Sequence, residues 1–250
     1  NDDTFNLANG DFAAGESITG GAGTDGIVLT NATAIDFTTG TLVTLETLTG
    51  STGNDNVTYS LLQALEFGTI DLAGGTDTQN VEFGGTQDVT ALGTPVTSNV
   101  EIGNLVGTTG NDDLTITGAQ IDAIVFGSGV IDFDAGTDVL NITSTSVNLN
   151  SLGSTDGSIL GLEEVDASSA AGSVTIDLNG QSEGFTVTAS ANGDTITTGA
   201  GADTINGGAG ADTINGGAGI DTLTGGTGAD ILDGGANDDT FNLANGDFAA

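Results

Sequence analysis

From residue 189 to residue 242 one apolar side chain recurs every nine positions: Ile196, Ile205, Ile214, Leu223, Leu232 and Phe241. The segment divides without remainder into six nonapeptides, ASANGDTIT, TGAGADTIN, GGAGADTIN, GGAGIDTLT, GGTGADILD and GGANDDTFN. Each opens with a glycine-rich stretch and closes on three residues such as Thr-Ile-Asn. Three residues are too few for a helix and suit a short strand with one side chain inward and two outward. Position four is always Gly or Asn (Asn192, Gly201, Gly210, Gly219, Gly228 and Asn237), the residues that tolerate a left-handed backbone. Copies of turn plus strand, stacked in parallel, place the apolar residues in an internal ladder.

Upstream the pattern changes to alternating β-rich runs: GIVLT (26–30), TLVTLETLT (41–49), VIDFD (130–134), VLNIT (139–143), SVTIDL (173–178) and FTVTAS (185–190). Val, Ile, Thr and Phe dominate them, and Gly, Asn, Asp and Ser punctuate them, as in strands. SLLQALEF (60–67) and TGAQIDAIVF (117–126) read as single helical turns or short helices. An approximate internal repeat aligns 45–60 with 102–117 at an offset of 57, and 70–78 with 131–139 at an offset of 61. Nonapeptide-like pieces recur inside it: GSTGNDNVT, GTTGNDDLT and FDAGTDVLN place Asp55, Asp112 and Asp138 at position six. LAGGTDTQN places Asp77 there, with Gln79 where an apolar residue belongs. A third copy begins at 160–178 without the GND signature, and no metal is expected in it. Residues 29–188 are therefore expected to form irregular wide coils of the same solenoid, about 20 residues each, rather than a separate β-sandwich.

NDDTFNLANGDFAA occurs at 1–14 and again at 237–250, an offset of 236. Chance does not produce that match. The expectation is a chain cut from a tandem array with a 236-residue period, carrying one unit and a 14-residue overlap. Residues 1–28 then continue the nonapeptide block of a preceding unit. Asp3 is the counterpart of Asp239, and GGAGTDGIV (20–28) restores the pattern with Asp25. In DFAAGESIT (11–19) Glu16 takes the aspartate position, a departure from the motif. The expected divisions are 1–28, 29–188 and 189–250.

Charge sharpens this picture. The chain has 35 acidic residues, no Lys, Arg or His, and a net charge of −35. No internal salt bridge with a basic side chain is possible, and nothing neutralises phosphate, which excludes nucleic acid as a partner. Anionic membrane surfaces are disfavoured, and no apolar run approaches the length of a membrane span. Cysteine is absent, so neither disulfides nor thiol chemistry is available. Unneutralised carboxylates repel one another, so the fold is expected to depend on cations.

Position six of every nonapeptide is aspartate: Asp194, Asp203, Asp212, Asp221, Asp230 and Asp239. A glycine-rich turn that exposes carbonyls and ends in a carboxylate offers the hard oxygen ligands that suit calcium. The candidate ligands are these six together with Asp3, Asp25, Asp55, Asp77, Asp112 and Asp138. The pattern resembles the RTX family of calcium-binding repeats, G-G-x-G-x-D-x-U-x with U apolar. That resemblance implies an all-β, elongated, right-handed parallel β-roll or β-solenoid, with two nonapeptides per coil and several Ca2+ ions. Asp194, Asp212 and Asp230 would line one edge and Asp203, Asp221 and Asp239 the other.

An enzyme is not expected. Without His, Lys, Arg or Cys there is no ready general base near neutral pH. Glu163–Glu164 are adjacent on a strand and point to opposite faces, so they cannot flank one bond. The combined GND-type and GGxGxD pattern resembles surface-layer and giant tandem-repeat surface proteins of bacteria and cyanobacteria. It implies an extracellular or cell-surface structural protein, exported by type I secretion, that associates with copies of itself in a layer, sheath or filament. Cell-surface polysaccharide is a second candidate partner. The alternative is the rigid calcium-dependent stalk of an adhesin. Ice binding ranks lower, since Ile231 interrupts the threonines at position seven, and a carbohydrate-active module ranks equally low.

Overall fold

The computed structural model describes residues 1–243; the rest of the second NDDTFNLANGDFAA copy lies outside the described residues. Asn1–Phe83, Ala91–Gly107 and Ala123–Ile131 form one compact unit. Gly84–Thr90, Thr108–Asp122 and the described part of Asp132–Ala250 form the other.

In the first unit a five-stranded sheet runs Thr4–Leu7, Gly26–Leu29, Thr47–Thr49, Thr69–Asp71 and Val96–Ser98. All neighbours are parallel, and successive register partners are 22, 21, 22 and 27 residues apart. A second sheet stacks Ala34–Asp36, Asn56–Ser60, Thr78–Glu82 and Ile102–Val106 in parallel at steps of 22, 22 and 24. A chain that returns to the same sheet in the same direction at each circuit is a parallel β-solenoid. Its core is the inside of the coil, where Ile27, Leu48 and Ile70 stack in register and are almost fully buried.

The second unit has the same architecture with a narrowing coil. Its eight-stranded sheet runs Thr86–Asp88, Asp113–Ile116, Val139–Ile142, Glu164–Asp166, Thr186–Thr188, Thr204–Asn206, Thr222–Thr224 and Thr240–Asn242. The steps are 27, 26, 25 and 22 residues, then 18 three times. The other nonapeptide strands, Thr195–Thr197, Thr213–Asn215 and Ile231–Asp233, follow Thr175–Asp177 in a four-stranded parallel sheet. Two nonapeptides therefore make one 18-residue coil. Residues 29–188 build wider coils of the same kind, because helices and long turns enter the circuit.

The two expected helical turns are helices Leu61–Glu66 and Gly118–Ile124. Ser60 and Gln63 form a reciprocal capping box on the first, and Thr117 and Gln120 exchange the same two bonds before the second. A third helix, Val147–Gly153, is unexpected from the sequence. Its cap Ser146 accepts from the Leu149 N–H, but Leu149 offers no reciprocal acceptor, so the capping-box signature is missing. The run 41–49 differs as well. It breaks into Thr41–Val43 and Thr47–Thr49, in different sheets, at Thr44, whose φ is +52°. The Thr44 hydroxyl accepts from the Gly21 N–H at 2.7 Å and holds that corner.

Gln79, the misfit at an apolar position, is buried and fully employed. The Tyr59 hydroxyl donates to its Oε1 at 2.5 Å, and its Nε2 donates to the Ile124 carbonyl at 2.6 Å. Burial pushes the Tyr59 hydroxyl pKa far up, so it stays a donor. Tyr59→Phe would strip the buried Gln79 oxygen of the Tyr59 hydroxyl that donates to it. The expected destabilisation is about 1–3 kcal/mol by urea denaturation in calcium; an unchanged midpoint would show that this bond is dispensable.

Candidate metal centre

Each nonapeptide places its aspartate one residue before a three-residue strand. The central side chain is buried in the first four, half-buried at Leu232 and 43% exposed at Phe241, where no described coil follows to cover it. Ile196, Ile205, Ile214 and Leu223 are at most 1% exposed. Asp194, Asp203, Asp212 and Asp221 are buried with them. What holds a buried carboxylate there is the backbone of the preceding coil. Oδ1 of Asp212 accepts from the Asp194 N–H at 2.8 Å, and Oδ1 of Asp230 from the Asp212 N–H at 2.9 Å. On the other edge, Oδ1 of Asp221 accepts from the Asp203 N–H at 2.9 Å, and Oδ1 of Asp239 from the Asp221 N–H at 3.0 Å. The structure thus stands Asp194, Asp212 and Asp230 in one column, and Asp203, Asp221 and Asp239 in the other.

The second carboxylate oxygen decides the chemistry. Oδ2 of Asp203, Asp212, Asp221 and Asp230 is buried without a hydrogen-bond partner. Thr198, beside Asp203, donates its hydroxyl to the Gly216 carbonyl at 2.8 Å. A buried carboxylate oxygen without donor or cation is unfavourable. Burial raises the pKa of Asp203 and Asp221, and pushes Asp212 up to about 6.

These oxygens sit in cradles that glycine keeps open. A Cβ on Gly207 would lie 2.6 Å from Asp212 Oδ2 and 2.6 Å from the Gly225 carbonyl oxygen of the next coil. On the other edge, a Cβ on Gly216 would lie 2.6 Å from Asp221 Oδ2 and 3.0 Å from the Gly234 carbonyl oxygen. Among the described residues no three acidic side chains converge as a metal-holding group. One carboxylate with surrounding carbonyls is the donor set instead, and hard oxygen donors of that kind fit calcium. When bound, calcium supplies the positive charge that this chain's side chains lack entirely.

The remaining candidates fall in three groups. Asp25, Asp77 and Asp138 are fully buried, with Oδ2 unpartnered. Their Oδ1 atoms accept from the N–H groups of Asp3, Asp55 and Asp112 at 2.6, 2.7 and 2.6 Å. Asp55 and Asp112 are also buried, but both of their oxygens are hydrogen bonded, as are those of Asp194. Asp3 is exposed, and it enters this ladder through its backbone alone. Glu16 caps its own turn by accepting from the Ala13 N–H at 2.8 Å.

Three carboxylates outside the candidate ligand set complete the ladders. Glu46, Glu101 and Glu163 accept through Oε2 from the N–H groups of Asp25, Asp77 and Asp138 at 2.7, 2.7 and 2.8 Å. Each stands immediately before a strand, where the aspartate stands elsewhere. An acid two residues ahead of an inward residue, as in Glu46-Thr47-Leu48 and Glu163-Glu164-Val165, was the available signal.

The family described as RTX calcium-binding nonapeptide repeat (4 copies) matches residues 188–223 and 215–247. A search of curated proteins returns no match. Residues 188–247 of this chain are RTX calcium-binding nonapeptide repeats, which bind Ca2+ at multiple sites.

Proposed function

We propose that this chain is a non-catalytic, calcium-stabilised structural module of an extracellular layer, sheath or filament, and that its partners are copies of itself. One observation carries the reading: the same seven residues, NDDTFNL (1–7 and 237–243), supply Thr4–Leu7 at one end of the five-stranded sheet and Thr240–Asn242 at the end of the eight-stranded sheet among the described residues. At the first site the Asp3 carbonyl accepts from the Gly26 N–H at 3.0 Å, toward a later coil. At the second, Thr240, the counterpart of Thr4, donates its N–H to the Asp221 carbonyl at 2.8 Å, toward an earlier coil. One sequence therefore carries hydrogen-bonding groups toward both a later and an earlier coil, so a coil that bears it can stack on either side, as successive copies of this unit would require.

The extracellular reading draws on the calcium requirement, since modules that work outside cells can bind calcium as weakly as roughly millimolar. Among the described residues no helix is long and apolar enough to cross a membrane. The non-catalytic reading draws on the missing bases and on Glu163, whose Oε2 is taken by the Asp138 N–H.

Electron microscopy of a chain carrying two or three copies tests this. Ordered filaments or sheets in millimolar-range calcium that disperse on chelation are the expected result. Isolated particles without order would count against self-assembly and favour a spacer that carries an adhesive domain.

A further inference from the structure

The buried aspartates differ in what meets Oδ2, and the residue four positions back separates them, except at Asp203, whose Oδ2 is also unpartnered although Gly199 is not left-handed. Before Asp55, Asp112 and Asp194 that residue is Ser51, Thr108 and Ser190. Its N–H donates to Oδ2 at 2.8, 2.6 and 2.8 Å. Its hydroxyl donates to the same oxygen at 3.1, 3.2 and 2.9 Å. Before Asp77, Asp138, Asp212 and Asp221 it is Ala73, Asp134, Gly208 and Gly217, each at a positive φ between 62° and 90°. There the N–H turns away, to an Asn or Asp carboxamide or carboxylate oxygen two residues earlier, at 2.9–3.2 Å. Before Asp25, Gly21 is also left-handed and donates to the Thr44 hydroxyl. In all five cases Oδ2 is left buried and unpartnered.

The open sites outside the matched repeats are also lined for a hard cation. A Cβ on Gly136 would lie 2.7 and 2.9 Å from the two Asp138 oxygens and 2.8 Å from the Gly110 carbonyl oxygen. A Cβ on Gly75 would lie 2.9 Å from Asp77 Oδ1 and 2.7 Å from the Gly53 carbonyl oxygen. Each cradle joins a carboxylate to a carbonyl of the preceding coil, the oxygen set that suits calcium.

The geometry points to two kinds of coil junction: calcium is held at the open aspartates, including Asp25, Asp77 and Asp138 beyond the matched segment, while a Ser or Thr latch takes its place at Asp55, Asp112 and Asp194. The inference rests on calcium binding by the repeats, but not on any role in assembly. It extends the metal to three sites that the family match does not cover and withholds it from one that it does.

Calcium bound per chain at saturation, measured by equilibrium dialysis and metal analysis on the full 250-residue chain, tests this. Asp77→Asn and Asp138→Asn are expected to lower it, as is the reference variant Asp212→Asn. Asp55→Asn and Asp112→Asn are expected to keep the complement of the unaltered chain. Should a latch aspartate variant not fold, Ser51→Ala serves instead: a hydroxyl that replaces metal leaves the count unchanged, and one that ligates calcium takes an ion with it. Loss of calcium from Asp55→Asn or Ser51→Ala overturns the inference. So does an undiminished count in Asp77→Asn and Asp138→Asn while Asp212→Asn loses calcium. An undiminished count in Asp212→Asn as well would overturn the assignment of the columns themselves.

Discussion

Chelation of calcium at neutral pH is expected to unfold the 18-residue coils between Thr195 and Asn242. The internal ladder there is thin: Ile196, Ile205, Ile214 and Leu223 contribute about 1.5–3 kcal/mol each on burial. Against them stand Asp203, Asp212 and Asp221, each with a buried oxygen that has no partner. An uncompensated buried charge costs several kcal/mol, and whole domains are stable by only about 5–15 kcal/mol. Removing the cation removes what offsets these buried charges. Amide hydrogen exchange at Asp203, Asp212 and Asp221, whose N–H groups donate into the columns or lie beside them, reads the effect directly. Retained protection of these amides in chelator would show that the columns are not held by metal.

Acid is expected to substitute in part for calcium. Burial raises the Asp212 pKa from 3.8 to about 6 in the folded chain, and Asp77, Asp203 and Asp221 move in the same direction. Between those limits the folded chain binds more protons than the unfolded one, so stability rises as pH falls and is lost as pH rises through the folded pKa. Asp71, held down chiefly by the Asn99 amide, and Asp88, held down by the Thr90 hydroxyl, oppose this only at more acidic pH. A calcium-free sample should therefore recover β structure, read by circular dichroism, on acidification from neutral toward pH 5. A calcium-loaded sample should not gain stability over the same range.

The coil and its columns were legible because a period of nine leaves each side chain one place to go. With a single inward residue per nonapeptide, Ile214 fixes the strand and Asp212 must precede it. The wide coils carry no such constraint. Thr44 reads as mid-strand from its β-branched neighbours, yet a side-chain bond from the Gly21 N–H lets it turn a corner. Gln79 looks like a fault until Tyr59, 20 residues away, is seen to satisfy it. Glu46, Glu101 and Glu163 escaped a motif written for aspartate, although the longer side chain reaches the same N–H. The Ser and Thr latches lay in plain view, but their meaning depends on the sign of φ at one residue, which spacing alone does not encode.

Gly217→Ala is expected to destabilise the coils strongly. Gly217 has φ +90°, a region that costs a residue with a Cβ about 1–2 kcal/mol. The added carbon would also overlap the Gly199 carbonyl oxygen of the coil before it. That oxygen is pinned by the Ala218 N–H at 2.7 Å, so it cannot move without the two coils separating. Separation would stretch the Asp203 N–H to Asp221 Oδ1 bond in the adjoining column, at 2.9 Å. Strain and lost bonds together place the loss above about 3 kcal/mol in saturating calcium, with weaker calcium binding as its companion. Gly172→Ala is the matched control: a Cβ there meets nothing within 4 Å, and the expected change is within about 0.5 kcal/mol. Equal unfolding midpoints for the two variants would mean that the coils tolerate a Cβ between their turns. Glycine in the repeat would then reflect the turn alone, and close stacking of the coils would not be what keeps the oxygens of one column within reach of one cation.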